Sequence, residues 1–289
     1  MDTLLTALAP AIWGSTYIVT SELLPPDRPF TAALFRVLPA GLILLCVLRV
    51  APQRQDWLRL LALSALNIGG FQALLFMAAY RLPGGLAAVV GALQPLVVML
   101  LAWSVERQRP AKLALAAGIL GVPGMAALLF SPSMVWDTTG VIAAAAGAAS
   151  MATGTYYTRR WRTSLPVFAL TGWQLLLGGL MLAPFALLAD PPLPQLSGLQ
   201  ISAYAYLSLA GALLSYALWF RGLKRLSPVA VSSLGLISPL TAVALGWLLL
   251  GQSMNSLSMA GLVVVLASVF TVQWACAPKP AHTISSQHT

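Results

Sequence analysis

RLPGGLAAVVGALQPLVVMLLAW, at positions 81–103, recurs 144 residues later as RLSPVAVSSLGLISPLTAVALGW, at positions 225–247. The two copies keep Gly91 and Gly235, Pro95 and Pro239, and Trp103 and Trp247 in register. A shared richness in leucine does not explain these matches. Because the offset is half of the 289-residue chain, the sequence predicts a duplicated unit.

The composition is that of a chain whose surroundings are lipid. Hydrophobic residues make up 59% of the chain and charged residues 8%, whereas a soluble domain has roughly 45–50% and about 25%. A helix crosses the hydrocarbon core with about 20 apolar residues. The sequence therefore predicts an all-α integral membrane protein with ten transmembrane helices, at 4–22, 29–49, 58–79, 84–104, 112–130, 138–158, 166–188, 199–220, 228–250 and 256–275.

The positive charge is distributed by loop. Of the 16 Lys and Arg residues, 13 fall in the C-terminal tail or at the loops that follow even-numbered spans, whereas odd loops carry only Arg28 and Arg81. Basic loops stay on the cytoplasmic side of a membrane. This pattern predicts a multi-pass membrane protein with cytoplasmic N- and C-termini, and it disfavours nucleic acid as a partner despite the net charge of +9.

An odd number of spans in each copy makes the repeat inverted. We expect a first five-helix repeat at 1–135, a second at 136–276 and a cytoplasmic tail at 277–289. Inverted repeats around a central cavity are the usual construction of transporters that work by alternating access. A channel, or a scaffold that merely grew by duplication, stays open as an alternative.

Several spans contain helix-interrupting or small residues. Pro95 and Pro239 occupy matched positions, and each removes a backbone hydrogen bond that neighbours or water must replace. Freed carbonyls near Leu93 or Ile237 could face a cavity, although ordinary kinks explain the prolines equally well. The run at 143–154, AAAAGAASMATG, is expected near the centre, and the glycines at 118, 121 and 124 are expected in a helix-packing seam.

The membrane spans carry few groups that could perform chemistry. Both histidines, His282 and His288, are in the tail, and all Asp and Glu residues map to loops or span ends. This pattern argues against an enzyme, a metal site or a cofactor within the spans. Arg36 lies about seven residues inside the second span, where a cation needs a partner. Glu22 or helix-end carbonyls are the expected structural partners, with a substrate carboxylate or snorkelling as alternatives.

Polar and aromatic residues within the spans supply recognition chemistry. Trp13 and Trp173 lie deep in their spans, and Trp219, near a span end, is followed by Phe220. These three tryptophans could line an aromatic pocket with several tyrosines. Gln94 and Ser238 immediately precede the matched prolines. Amides, hydroxyls and aromatic rings suit a small zwitterion with an apolar body, but also a neutral metabolite or an organic cation.

The sequence resembles the drug/metabolite transporter superfamily, in its EamA-type branch of ten-helix proteins. The resemblance covers nearly the whole chain and rests on Trp13-Gly14-Ser15-Thr16-Tyr17, on Arg36 followed by Pro39-Ala40-Gly41-Leu42, and on the Pro-Leu to Trp segments ending at Trp103 and Trp247. A Gly-Glu pair usual in the family after that Trp is here Gly251-Gln252. Within the branch, the chain looks most like the YddG-type bacterial amino-acid exporters.

That resemblance implies export of aromatic and other amino acids through a cavity lined by spans 1, 3, 4, 6, 8 and 9. Multidrug or quaternary-ammonium efflux is the alternative, although small transporters of that type rely on a mid-span Glu. We expect a monomer in the lipid bilayer, with Glu22, Arg36, Pro95 and Pro239 in structural or gating roles. The positions implied to bind substrate are Trp13, Tyr17, Gln72, Tyr80, Gln94, Tyr156, Tyr216, Trp219 and Ser238.

Overall fold

A computed structural model describes residues 1–81, 90–129, 137–161, 163–250 and 255–276. Within these ranges the chain is helical and contains no strand, as the composition predicted. The side chains of Tyr17 and Tyr80 lie outside the described part, as does the predicted tail.

The helices follow the chain order of the predicted spans. They are α1 (Asp2–Leu23), α2 (Pro29–Leu48), α3 (Trp57–Ser64), α4 (Gly70–Arg81), α5 (Gln94–Glu106), α6 (Lys112–Leu129), α7 (Thr138–Arg160), α8 (Val167–Leu188), α9 (Gly198–Ser208), α10 (Ser215–Arg225), α11 (Pro228–Leu234), α12 (Ile237–Leu250) and α13 (Ser256–Ala275). A short 3₁₀ turn (Arg54–Asp56) precedes α3, and two π-helices, π1 (Ala65–Gly69) and π2 (Leu209–Leu214), join α3 to α4 and α9 to α10.

Seven helical segments of the described chain are long and apolar enough to cross a membrane. The chain is therefore a multi-pass membrane protein. α5 and α6 are apolar but shorter, and residues 82–89, in which the fourth predicted span begins, lie outside the described residues. α7 is 23 residues long but rich in Ala, Gly and Thr. The count of ten spans stays a prediction.

Polar residues cap the helices at the points where the chain enters or leaves the apolar layer. Asp137 accepts a hydrogen bond from the backbone of Gly140 at the start of α7, and Asn255 accepts one from Ser258 at the start of α13. Such caps satisfy backbone N–H groups that have no partner within the helix. Arg49 ends α2 with a positive φ of 51°. The loops are thus fixed by local chemistry.

Glycines bring two pairs of helices into backbone contact. A Cβ atom on Gly41 of α2 would lie 2.5 Å from the amide nitrogen of Leu176 in α8, and one on Gly261 of α13 would lie 2.3 Å from that of Leu128 in α6. At Gly124 it would lie 2.6 Å from a methyl of Val264. Close approach of this kind drives helix association in lipid, and the predicted glycine seam of α6 is confirmed.

The two halves interrupt their helices at matched places. π1 begins at Ala65 and π2 at Leu209, the same offset that separates the repeated sequences. The spans that carry Pro95 and Pro239 are broken as well, at residues 92–93 and 235–236. π-helical turns inside α-helices are frequent at functional sites. Matched interruptions therefore point to the region between the halves.

Packing across the halves is reciprocal. α1 packs against α10 and α12, and α7 packs against α4 and α5. α2 pairs with α8, and α6 pairs with α13. The first helix of each half thus contacts the interrupted helices of the other half. These interrupted helices line a central cavity.

Candidate functional site

The central cavity has a volume of about 790 Å³. Its described wall comes from α1, α2, α4, α7, α10, α11, α12 and the loop at 24–27, with Gln94 at the start of α5. All six predicted spans contribute to the wall, the fourth of them through Gly91 and Gln94. Arg36 adds the second span to the wall. Ligand cavities in proteins are typically about 300–1,000 Å³, so the space suits a small molecule.

The cavity is open towards one end of the bundle. Along α1 its lining begins at Trp13, continues through Thr16 and Thr20, and reaches Asp27 in the following loop. These positions lie at helical spacing on one face of α1. The part of α1 that precedes Trp13 contributes nothing to the lining. The cavity therefore extends from mid-bundle to the end that carries the 24–27 loop.

Three aromatic rings form the floor of the cavity. The ring of Trp13 lies 5.0 Å from that of Tyr216 and 5.1 Å from that of Trp219, measured between centroids. Tyr216 and Trp219 are each only 1% exposed. Phe220 stacks beneath Tyr216 at 5.8 Å. Tilted aromatic pairs at these distances are favourable and rigid, so the floor is a fixed apolar surface.

Gln72 and Tyr216 join the two halves inside this floor. The side-chain amide of Gln72 donates to the Tyr216 hydroxyl at 2.9 Å. Both side chains are buried. Gln72 lies three residues after π1, and Tyr216 lies two residues after π2, which places them at matched positions of the repeat. A residue and its repeat partner are therefore in direct contact.

The carbonyl oxygen of Gly211, in π2, anchors two cavity residues. It accepts a hydrogen bond from the indole N–H of Trp13 at 3.1 Å and one from the Arg36 guanidinium at 3.0 Å. A π-helix disturbs the regular pairing of backbone carbonyls. The irregular turn thus supplies an acceptor that fixes both Trp13 and Arg36 in the wall.

Several polar atoms of the lining residues have no hydrogen-bond partner among the described residues. They are Oε1 of Gln72, Nε2 of Gln94 and Nε1 of Trp219, and all three are buried. Buried polar groups in proteins are nearly always paired, with protein, water or ligand. A polar group of a ligand that binds near the floor can therefore form hydrogen bonds with these atoms.

Most of the predicted site residues meet at the cavity. Those that line it are Trp13, Arg36, Gln72, Gln94, Tyr216, Trp219, Ser238 and Pro239. Pro95 and Glu22 are not among the lining residues of the described chain, and the ion pair between Glu22 and Arg36 stays a prediction. The carbonyls expected at Leu93 and Ile237 likewise belong to residues outside the described wall.

Tyr156 lies elsewhere. Its hydroxyl donates to Oε1 of Glu106 at 2.7 Å, and Arg160 binds the same oxygen at 3.2 Å. Glu106 is the last residue of α5 and Arg160 the last of α7. Tyr156 therefore lies near the C-terminal ends of α5 and α7 and is not among the described lining residues of the cavity.

Ion pairs cover the end of the bundle opposite to the cavity mouth. Asp2, at the start of α1, binds Arg221 at 2.8 Å and Arg225 at 3.2 Å. The ammonium of Lys224 donates to the carbonyl of Leu165 at 3.1 Å, and Arg159 donates to the carbonyl of Lys224. α1, α7, α10 and the loop that precedes α8 are thus tied together at this end.

Some lining residues were not singled out from the sequence. Phe71, Leu75 and Phe76 of α4 share the wall with Gln72. Their spacing from Gln72, at i+3 and i+4 for Leu75 and Phe76, is the signal that could have found them. Ala144, Gly147 and Ala148 of α7 also line the cavity, as expected of the small-residue run.

A helical bundle in lipid with one central, amphipathic cavity is the architecture of a membrane transporter. The EamA-like transporter family model matches residues 3–130 and 138–274, and the chain belongs to that family. The two matched segments cover most of its length.

Relatives of known name are similar over nearly the whole chain. Protein PecM of Dickeya dadantii (strain 3937) is 42% identical, with 92% of this chain and 90% of PecM covered. The WAT1-related protein At3g02690, chloroplastic, of Arabidopsis thaliana is 30% identical, with 91% of this chain and 67% of the relative covered. The uncharacterized inner membrane transporter YedA of Escherichia coli (strain K12) is 28% identical, with coverages of 90% and 87%.

A solved crystal structure has the same fold. It superposes with a TM-score of 0.80 at 19% sequence identity, over 95% of this chain and 97% of that chain. At this identity the similarity concerns the fold.

Proposed function

We propose that this protein exports small metabolites, aromatic and other amino acids among them, from the bacterial cytoplasm across the inner membrane. It would work by alternating access between two inverted five-helix repeats, with ten spans and both termini in the cytoplasm. The observation that carries the proposal is the aromatic, amide-bearing cavity of about 790 Å³ between the two halves.

The reciprocal packing supports inverted repeats. If the halves are related by a two-fold axis in the membrane plane, contacts between α1 and the helices α10 and α12 correspond to contacts between α7 and the helices α4 and α5. Both sets are present. A residue on such an axis touches its own repeat partner, as Gln72 touches Tyr216. Matched interrupted helices at the midplane are typical of transporter binding sites.

The cavity chemistry favours an amino acid with an apolar side chain. Phe71, Phe76 and the aromatic floor supply apolar area, and the amides of Gln72 and Gln94 supply a donor and an acceptor. A zwitterion needs both kinds of polar partner. Ser238 adds a hydroxyl to the same wall. Tyr17 and Tyr80, which the family resemblance implies to bind substrate, remain proposed substrate contacts.

Charge in the wall disfavours the multidrug alternative. Arg36 lines the cavity, and within the described wall the single carboxylate is Asp27, at the mouth. A quaternary ammonium in the cavity would meet a cation and no mid-span acid. Aromatic rings also attract cations, but the same rings accept the side chain of an aromatic amino acid.

The closed end supports an alternating cycle. With cytoplasmic termini, the ion pairs of Asp2 lie on the cytoplasmic side, and the mouth near Asp27 faces outward. The structure then corresponds to the state that releases substrate. Because no carboxylate of the described wall lies near the floor, we expect facilitated transport or exchange rather than proton antiport.

The test is uptake of labelled phenylalanine, threonine and methionine by purified protein in liposomes, with and without an imposed pH gradient. Saturable uptake that unlabelled amino acids suppress, and that needs no gradient, is expected. Trp13→Ala and Gln94→Ala should lower this uptake without lowering the amount of reconstituted protein, while Gly198→Ala, on a helix start outside the cavity, should not. Absence of amino-acid uptake by the wild-type protein would contradict the proposal.

A further inference from the structure

The two halves differ at matched positions of the cavity wall, and at one of them the first half has a leucine where the second has a tryptophan. Leu75 in α4 corresponds to Trp219 in α10, and Gly91 corresponds to Gly235. All four residues line the cavity. The register is supported by the matched start of π1 and π2 and by the contact between Gln72 and Tyr216. Leu75 and Gly91 can therefore be compared directly with Trp219 and Gly235, the residues at the same positions of the second half.

In the second half, an indole ring covers the glycine. A Cβ atom on Gly235 would lie 3.8 Å from Cη2 of Trp219, which is ordinary van der Waals contact. In the first half, a Cβ atom on Gly91 would have no heavy atom of the described chain within 4 Å. Since Leu75 lacks a ring, no side chain of the described residues takes beside Gly91 the place that Trp219 takes beside Gly235.

The surrounding wall keeps this space open. Ala144, Gly147 and Ala148 of α7 line the cavity together with Ala78 of α4. Methyl groups and hydrogens replace the larger side chains that would otherwise fill it. A packed protein interior leaves few voids larger than a water molecule, so this part of the open cavity has room for a ligand group that closer packing would exclude.

We propose that the space beside Gly91 holds the planar apolar side chain of the substrate, in the place that the indole of Trp219 takes beside Gly235. Leu75 and Gly91 are then specificity-determining residues that admit an aromatic side chain. The amino and carboxyl groups of the substrate remain near the polar atoms of Gln72 and Gln94. This inference rests on the proposed transport of amino acids and adds the place where the side chain binds.

The test fills the space beside Gly91 in the first half, as Trp219 fills the corresponding space in the second half. Leu75→Trp supplies the protein's own indole, and Gly91→Leu fills the same space from the opposite side. Each variant is compared with wild type by the half-saturation concentration for labelled phenylalanine and for labelled threonine in liposomes. A side-chain pocket that loses its space discriminates by about tenfold or more, so both variants should raise the phenylalanine value by at least about tenfold and the threonine value by less than about threefold.

Gly198→Leu is the matched control. Gly198 also has open space around its Cβ, but it lies at the start of α9 and does not line the cavity. It should change neither value. Elution as a single species in gel filtration shows that a variant is folded, and Gly91→Leu remains informative if Leu75→Trp fails to fold.

Equal effects on phenylalanine and threonine, or no effect on either, would overturn the inference and leave the proposed function standing. Transport of neither amino acid by the wild type would overturn both. A selective loss of phenylalanine in either folded variant supports the binding place.

Discussion

The amide of Gln72 donates a 2.9 Å hydrogen bond to the hydroxyl of Tyr216, and the two residues occupy the same position in the two halves of the chain. If the halves are inverted repeats, as proposed, a contact between repeat partners lies on the axis that relates them. If the halves move against each other during transport, this pair lies where the displacement is smallest. It can therefore hold the floor of the cavity together throughout the cycle.

The coupling between Gln72 and Tyr216 can be measured. Tyr216→Phe removes the hydroxyl, Gln72→Leu removes the amide, and the double variant removes both. Hydrogen bonds between transmembrane helices contribute about 0.6 kcal/mol on average and at most about 1.7 kcal/mol in double-mutant cycles. We expect a coupling free energy of unfolding in that range, from unfolding in mild detergent. Strict additivity of the single variants would show that the bond contributes nothing.

The glycine seam between α6 and α13 should tolerate no added methyl group. In Gly261→Ala the new Cβ would lie 2.3 Å from the amide nitrogen of Leu128, so the helices must separate. Overpacking of this kind costs about 1–3 kcal/mol. We expect a lower thermal midpoint in detergent for this variant. Gly198→Ala, with open space around its Cβ, is the control, and equal midpoints for both variants would contradict the packing.

Removing the carboxylate of Asp2 should loosen the closed end. Asp2→Asn removes the charge that binds Arg221 and Arg225. The readout is maleimide labelling of Leu223→Cys, a position that is 0% exposed near that end, in a chain whose native cysteines are replaced by serine. We expect at least about a twofold increase in labelling rate, since partly exposed ion pairs contribute little individually.

The control for this experiment is Asp190→Asn. Asp190 accepts a hydrogen bond from the backbone of Thr31 at the opposite end of the bundle. Its replacement should leave the labelling of Leu223→Cys unchanged. If Asp2→Asn labels no faster than the unsubstituted background, the ion pairs do not keep this end closed.

The thiol of Cys276 should react slowly at neutral pH. Burial raises the pKa of Cys276 above its ordinary value of 9.0, against a smaller opposing effect of the hydrogen bond with Ser227. The reactive thiolate is the minor form below that raised pKa, so reactivity rises as the pH passes through it. In a Cys46→Ser background, maleimide labelling should have its pH midpoint above 9.0; a midpoint below that value would contradict the raised pKa of this half-buried thiol.

The sequence predicted the helical spans from their apolar composition. It predicted much of the cavity wall because polar residues are few within these spans and therefore easy to recognise. Gln72, Gln94 and Arg36 were recognisable since a polar group inside a span needs a partner. Leu75 and Phe76 were not, because an apolar residue reads alike whether it faces lipid or a cavity. The placement of Tyr156 against Glu106 could not be predicted either, because the position of a tyrosine in a span does not show which neighbour its ring and hydroxyl contact.

The π-helices were also invisible in the sequence. The residues of π1, ALNIG, and of π2, LAGALL, fit an ordinary helix by their hydrophobic pattern. The extra residue in each turn is accommodated by tertiary contacts, such as those of Trp13 and Arg36 with the carbonyl of Gly211. Only the structure shows that the matched halves share this irregularity.

Counterflow tests the central claim most directly. Liposomes that contain the protein are loaded with unlabelled phenylalanine and diluted into a low concentration of labelled phenylalanine. A carrier that alternates between two sides accumulates label transiently above the external concentration, and we predict this overshoot. Equilibration without overshoot would contradict alternating access and favour a channel, whereas entry of label no faster than into protein-free liposomes would contradict amino-acid transport itself.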